Sequence, residues 1–145
     1  CLGLSLLKER TATTATLVDI SDTALDTARE NAELLGLSRR CSFLKFDLLS
    51  ESIDALPCHD AVIMNPPYLT TAEMSAIPEN VRREPSIALD GGEDGLIFYR
   101  LFVSHKKPMI FEIGAGQADD LLKLFPDGAV EKDLGSNPRV FYRTI

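Results

Sequence analysis

The sequence predicts an α/β fold in a single domain spanning residues 1–145, a mostly parallel sheet whose last two strands form an antiparallel hairpin. Three observations predict it. A β-branched segment ending in Val18-Asp19-Ile20 leads straight into an amphipathic helix, the order of elements in parallel sheets. The run Asp60-Ala61-Val62-Ile63-Met64 is short and almost wholly apolar, as expected of a strand buried on both faces. Near the end, Ala129 to Asp133 and Arg139 to Thr144 read as strands joined through Gly135-Ser136-Asn137-Pro138.

Composition narrows the class. The chain has 145 residues, 45% hydrophobic and 26% charged, an ordinary globular balance with enough apolar residues for a real core. No apolar run approaches the roughly 20 residues of a membrane helix, and no signal peptide is visible, so a cytoplasmic location without a membrane partner is expected. Fifteen Lys and Arg face 22 Asp and Glu, a net charge of −7. Nucleic-acid binders carry a basic footprint, because neutralising phosphates supplies most of their non-specific affinity. Here Arg39-Arg40, Arg82-Arg83 and Lys106-Lys107 are isolated pairs, so direct nucleic-acid binding is not expected unless a separate domain supplies the charge. Cys1, Cys41 and Cys58 are odd in number and lack Cys-x-x-Cys spacing, which points to free, mostly buried thiols. His59 and His105 lie far apart in sequence without ligand spacing, and no metal site is expected.

In order, Cys1 to Arg10 carries Leu2, Leu6 and Leu7 at helical spacing and predicts a short helix with no cap. Thr13 to Ile20 is the first strand. Ser21 or Asp22 caps a helix to about Leu35, with Leu25, Ala28, Ala32 and Leu35 on one face and Gly36 as a left-handed terminator. Ser42 to Phe46 is the next strand, closed by Asp47-Leu48, and a polar loop or short helix through Ile53 leads to the strand at Asp60 to Met64. Leu69 to Gly95 contains Pro78, Pro85 and Gly91-Gly92, too polar and interrupted for core, and its length suits a lid or binding loop. Leu96 to Val103 reads as helix and Met109 to Ile113 as a buried strand. Gly114-Ala115-Gly116 then turns into a helix at Gln117 to Phe125.

The chemistry concentrates at strand ends, where open α/β sheets bind ligands. Two prolines after Asn65 donate no ladder hydrogen bonds and bias the residues before them toward extended backbone, so Asn65-Pro66-Pro67-Tyr68 is held just beyond its strand. The Asn65 amide oxygen and the Pro66 carbonyl can accept the two hydrogens of a planar NH2 group, while the Tyr68 ring covers its plane. For the two prolines taken by themselves a plain rigid turn is the better explanation, and it is the full tetrapeptide that favours the chemical one. Asp19 can accept hydrogen bonds from both hydroxyls of a ribose, or act as a helix-capping acid ahead of Ser21. Asp47, with Leu48 beside it, can hold an adenine amino group and cover its ring, or simply close a strand-end turn.

Asn-Pro-Pro-Tyr after an apolar strand resembles the motif of methyltransferases that use S-adenosylmethionine to modify a planar nitrogen in DNA, RNA or protein. Further residues sharpen the resemblance: Val18-Asp19-Ile20-Ser21, Ala28-Arg29-Glu30-Asn31-Ala32, Phe46-Asp47-Leu48, Glu84-Pro85, Asp90-Gly91-Gly92-Glu93-Asp94-Gly95, Phe111-Glu112-Ile113-Gly114 and Arg139-Val140. Together they make the chain similar to the HemK/PrmC family, which methylates the glutamine side-chain amide of the Gly-Gly-Gln motif in peptide chain release factors. The resemblance implies a class I, Rossmann-like methyltransferase fold. It implies that Asp19 and Ile20, Asp47 and Leu48, and Asn65 meet S-adenosylmethionine, that Asn65 and Pro66 carry catalysis, and that Asn65, Pro66, Pro67 and Tyr68 hold the substrate amide. The partner it implies is a release factor.

Two features depart from the family pattern. Its first strand and Gly-rich loop are expected upstream of Cys1, because Cys1 to Leu6 looks like the helix that follows that loop, and its N-terminal helical domain has no counterpart here. Ser104-His105-Lys106-Lys107-Pro108 also joins helix to strand tightly, as if residues were absent. Two rival readings stand beside the resemblance: a methyltransferase acting on an exocyclic amine of RNA or DNA, and a non-catalytic binding fragment.

Overall fold

The computed structural model describes residues 2–77 and 84–144; Cys1, Pro78 and the Arg82-Arg83 pair lie outside the described residues. The chain separates into two compact units, residues 1–58 and 59–145, taken here in turn.

The first unit runs α1 (Leu2–Glu9), β1 (Ala15–Asp19), α2 (Asp22–Leu34) and β2 (Cys41–Lys45). β1 and β2 are parallel, in a register from Ala15 opposite Cys41 to Asp19 opposite Lys45. Ser21 caps α2 as expected, its hydroxyl accepting from the Ala24 amide at 3.2 Å, and Gly36 ends the helix at φ +69°. The core holds Leu4, Leu7, Ala32 and Leu37, against which Ala15, Leu17, Cys41 and Phe43 pack. Two expected faces are corrected. In α1 the inward residues are Leu4 and Leu7, with Leu2 exposed. In α2 Leu35 is exposed, because the chain reverses at Gly36 and Leu37 enters the core instead. Arg40 secures the α1 end and the approach to β1, its guanidinium donating to the Leu7 carbonyl at 2.8 Å, to the Thr13 carbonyl at 2.9 Å and to that of Arg10.

The second unit contains β3 (Val62–Met64), α3 (Ile97–Arg100), β4 (Met109–Glu112), α4 (Ala118–Leu124), β5 (Ala129–Lys132) and β6 (Pro138–Arg143). Its sheet order is β3-β4-β6-β5; β3 and β4 are parallel, and the last two strands form the expected antiparallel hairpin. Pro138 belongs to β6 rather than to the connection, at the first strand position, where a missing donor is tolerated. The core is aromatic. The Phe111 ring lies 5.6 to 6.4 Å from those of Tyr99, Phe102, Phe125 and Phe141. Met109, Ile113 and Leu121 are fully buried with them.

β3 corrects an expectation. It is three residues long with Val62 and Met64 half-buried and Ile63 exposed, not buried on both faces, because within its unit it is an edge strand paired only with β4. The cysteines differ too: Cys58 is exposed and Cys41 half-buried, with burial pushing the Cys41 thiol upward in pKa. His59 and His105, distant in sequence, meet with their Nε2 atoms 3.1 Å apart.

Candidate functional site

In the first unit, the polar strand ends sit side by side. Asp19 closes β1 opposite Lys45 of β2, and its carbonyl accepts from the Phe46 amide at 3.1 Å, so Asp47 follows one residue later at the same end of the parallel pair. Asp19 is exposed, and its Oδ1 accepts from the Ser21 amide at 2.9 Å. That bond is the capping role, yet a carboxylate has about four acceptor positions and most remain open. Asp47 is more occupied. Its Oδ1 accepts from the Leu49 amide at 2.9 Å and its Oδ2 from the Ser50 hydroxyl at 2.8 Å. These bonds, the Leu49 amide first, lower the Asp47 pKa and fix the carboxylate in the strand-end turn. Ile20 is exposed and Leu48 half-buried at these ends.

This donor set suits the cofactor that the resemblance implies. Two neighbouring carboxylates, each accepting from a backbone amide at one end of a parallel strand pair, match the hydroxyls of a ribose and the amino group of a purine, and Ile20 and Leu48 offer apolar surface beside them.

In the second unit, Asn65 leaves β3 exposed while Pro66 behind it is buried. Asn65, Pro66, Pro67 and Tyr68 line one wall of a cleft of about 430 Å³, with Leu69, Ile77, Glu84, Ala88 and Leu89 completing it. The segment after Tyr68 folds back over the tetrapeptide: the Leu69 amide donates to the Leu89 carbonyl at 3.1 Å, the Gly91 amide to Leu69 at 2.7 Å and the Thr71 amide to Gly92 at 2.9 Å. Among the described residues of 69–95, the expectation that the segment stays out of the core holds for most, but Gly91 and Gly95 are buried. A Cβ on Gly91 would stand 2.8 Å from the Pro67 carbonyl oxygen and 2.9 Å from the Tyr68 Cα, so the Asp90 to Gly95 block is glycine-rich where backbone meets backbone.

Residues 1–98 match the family model described as Methyltransferase small domain. The chain belongs to that family. Its curated relatives carry the name release factor glutamine methyltransferase. The Bacillus subtilis protein is 38% identical over 99% of this chain and 54% of its own length, and the Rhodospirillum rubrum protein 34% identical over 96% and 46%. The resemblance read from the motifs is therefore borne out, and the chain spans about half the length of the curated relatives it matches. Solved structures support the fold. The hMettl16 catalytic domain matches 99% of the chain and 60% of its own with a TM-score of 0.70 at 14% identity, and TrmN from Thermus thermophilus matches 98% and 40% with 0.60 at 20%. The class I methyltransferase fold that the resemblance implies stands.

Two residues beside the tetrapeptide escaped sequence reasoning. Glu84 was quoted only as part of a motif, and the cleft makes it a wall residue. Gln117 was read as the start of a helix, but its side chain reaches Tyr68, Gly95 and Gly114. A polar residue one position ahead of a helix after a Gly-x-Gly turn was the available signal.

Proposed function

We propose that this chain is the catalytic part of an S-adenosylmethionine-dependent methyltransferase that modifies the side-chain amide nitrogen of a glutamine, that of the Gly-Gly-Gln motif of a peptide chain release factor. The supporting observation is the proline-locked Asn65 opening on a cleft of about 430 Å³, with the Pro66 carbonyl next to it in sequence. The names of the relatives supply the substrate, and a cytoplasmic location goes with it. No helix among the described residues is long and apolar enough to cross a membrane.

S-adenosylmethionine, when bound, supplies an electrophilic methyl group. Asp19 and Ile20 would hold its ribose side and Asp47 and Leu48 its adenine. A carboxamide nitrogen is a weak nucleophile because its lone pair is delocalised, so orientation must carry much of the rate. Asn65 Oδ1 and the Pro66 carbonyl accept the two amide hydrogens and fix the nitrogen. As positive charge grows on that nitrogen, both acceptors strengthen their hold, which is stabilisation confined to the transition state. Pro67 and Tyr68 shape the slot that keeps the amide planar.

The test incubates full-length protein with methyl-labelled cofactor and either purified release factor or total RNA. Label on one glutamine of the release factor is expected. Label on RNA alone would overturn the reading in favour of an exocyclic-amine substrate, and absence of cofactor binding by calorimetry would reduce the chain to a binding fragment.

A further inference from the structure

Gln117 precedes α4 and is half-buried, and its carboxamide is almost fully used. Its Nε2 donates to the Tyr68 carbonyl and to the Gly95 carbonyl, both at 3.0 Å, and its Oε1 accepts from the Gly114 amide at 2.9 Å. Carbonyls only accept and an amide hydrogen only donates, so a single orientation of the carboxamide satisfies all three. Tyr99 also lies near Oε1, but its single hydroxyl hydrogen goes to the Glu112 carbonyl at 2.8 Å. The bonds span 49, 22 and 3 positions in sequence and join the end of the tetrapeptide, the Asp90 to Gly95 block and the residues just beyond β4.

The space around this side chain is closed by backbone. A Cβ on Gly95 would stand 2.4 Å from the Tyr68 oxygen and 2.6 Å from Gln117 Nε2, and one on Gly114 would stand 3.2 Å from Gln117 Oε1 and 3.3 Å from the Tyr68 ring. Met64 is registered against Phe111, which fixes the start of Asn65-Pro66-Pro67-Tyr68. Gln117 fixes the other end. Two prolines between the anchors transmit the position with little slack.

We infer that Gln117 is the positioning residue of the site, holding the Tyr68 carbonyl so that Asn65 and the Pro66 carbonyl stand at the height where an incoming amide meets both. This rests on the proposed amide chemistry. It assigns Gln117 no contact with substrate or cofactor. Displacement by even about 1 Å at a reacting centre can cost roughly a hundredfold in rate.

The experiment compares full-length wild type with Gln117→Met, which keeps the volume and loses all three bonds, and Gln117→Glu, which keeps the acceptor but turns a carboxylate toward two carbonyls. For Gln117→Met, kcat for methyl transfer to release factor should fall about 30- to 100-fold, with cofactor affinity and the KM for release factor little changed. For Gln117→Glu, the rate relative to wild type should rise as pH falls, because a protonated carboxyl can donate to one carbonyl, whereas Gln117→Met shows no such gain. Hydrogen exchange of the Gly114 and Leu69 amides should quicken in Gln117→Met, a readout independent of what the protein methylates. Wild-type kcat in Gln117→Met, or unchanged exchange at both amides, overturns the inference. A wild-type protein that leaves release factor unmethylated while those amides still quicken would instead sink the proposed substrate and leave the clamp supported.

Discussion

Asp19 caps a turn, and the ribose contact proposed for it is a second task that can be tested apart from the first. Its Oδ1 caps the turn at Ser21, which Asp19→Asn preserves and Asp19→Ala removes. Hydrogen bonds from sugar hydroxyls to a charged carboxylate contribute about 1.5–3 kcal/mol, so Asp19→Ala should weaken S-adenosylmethionine binding by roughly 10- to 100-fold in calorimetry. Reduced unfolding free energy with unchanged affinity would make Asp19 a cap and nothing more. Asp94 offers a test by pH. Hydrogen bonding by Arg100 holds its carboxyl at about 2, below the ordinary 3.8. The folded-state pKa is the lower one, so the stabilisation is present above the ordinary pKa and fades as pH falls through about 2. Both partners are about half exposed, which limits the contribution to at most about 1 kcal/mol. Arg100→Met should therefore be slightly less stable than wild type at neutral pH in denaturant titrations, and the two should converge as pH falls toward about 2. At this scale Ser21 and Gly36 were legible because capping is local. The occupied carboxylate of Asp47 was not, because Leu49 and Ser50 look like any loop residues until the chain turns.

Elements were readable where their pattern is internal and misread where burial depends on a partner. The six strands among the described residues announce themselves by β-branched or apolar runs, but the exposure of Ile63 follows from β3 pairing on one side only among the described residues of its unit, which its sequence does not encode. Contacts between remote segments were invisible for the same reason: Gln117 reaches 49 positions back, and His59 meets His105 across 46. The loop after the tetrapeptide gives a sharp prediction. Gly95 has φ +72° and no room for a methyl group against the Tyr68 carbonyl, so Gly95→Ala should cost about 1 kcal/mol for the backbone alone and more for the clash, with methyl transfer falling further than stability. Chemical denaturation and initial rates on the same preparation check both. In the hairpin, Phe141 is fully buried 5.1 Å from Phe125 and 6.0 Å from Phe111. Phe141→Ala should lower unfolding free energy by about 3–5 kcal/mol, and a loss near zero would mean that the aromatic cluster is not the core of its unit.

At the scale of the 145-residue chain, the net charge of −7 supplies no basic footprint of the kind that a polyanion calls for, so the decisive comparison sets release factor against RNA as the proposed substrate. The family was legible because its residues lie in short blocks at strand ends, Asp19, Asp47 and Asn65, which a linear sequence presents intact. The account's central claim is that Asn65 orients the amide nitrogen and does little for the cofactor. The most direct test measures methyl transfer to release factor and S-adenosylmethionine affinity for wild type and Asn65→Ala in the full-length protein. The account predicts transfer lowered by about 10²-fold or more with cofactor affinity nearly intact; equal losses of transfer and affinity, or transfer at the wild-type rate, would contradict it.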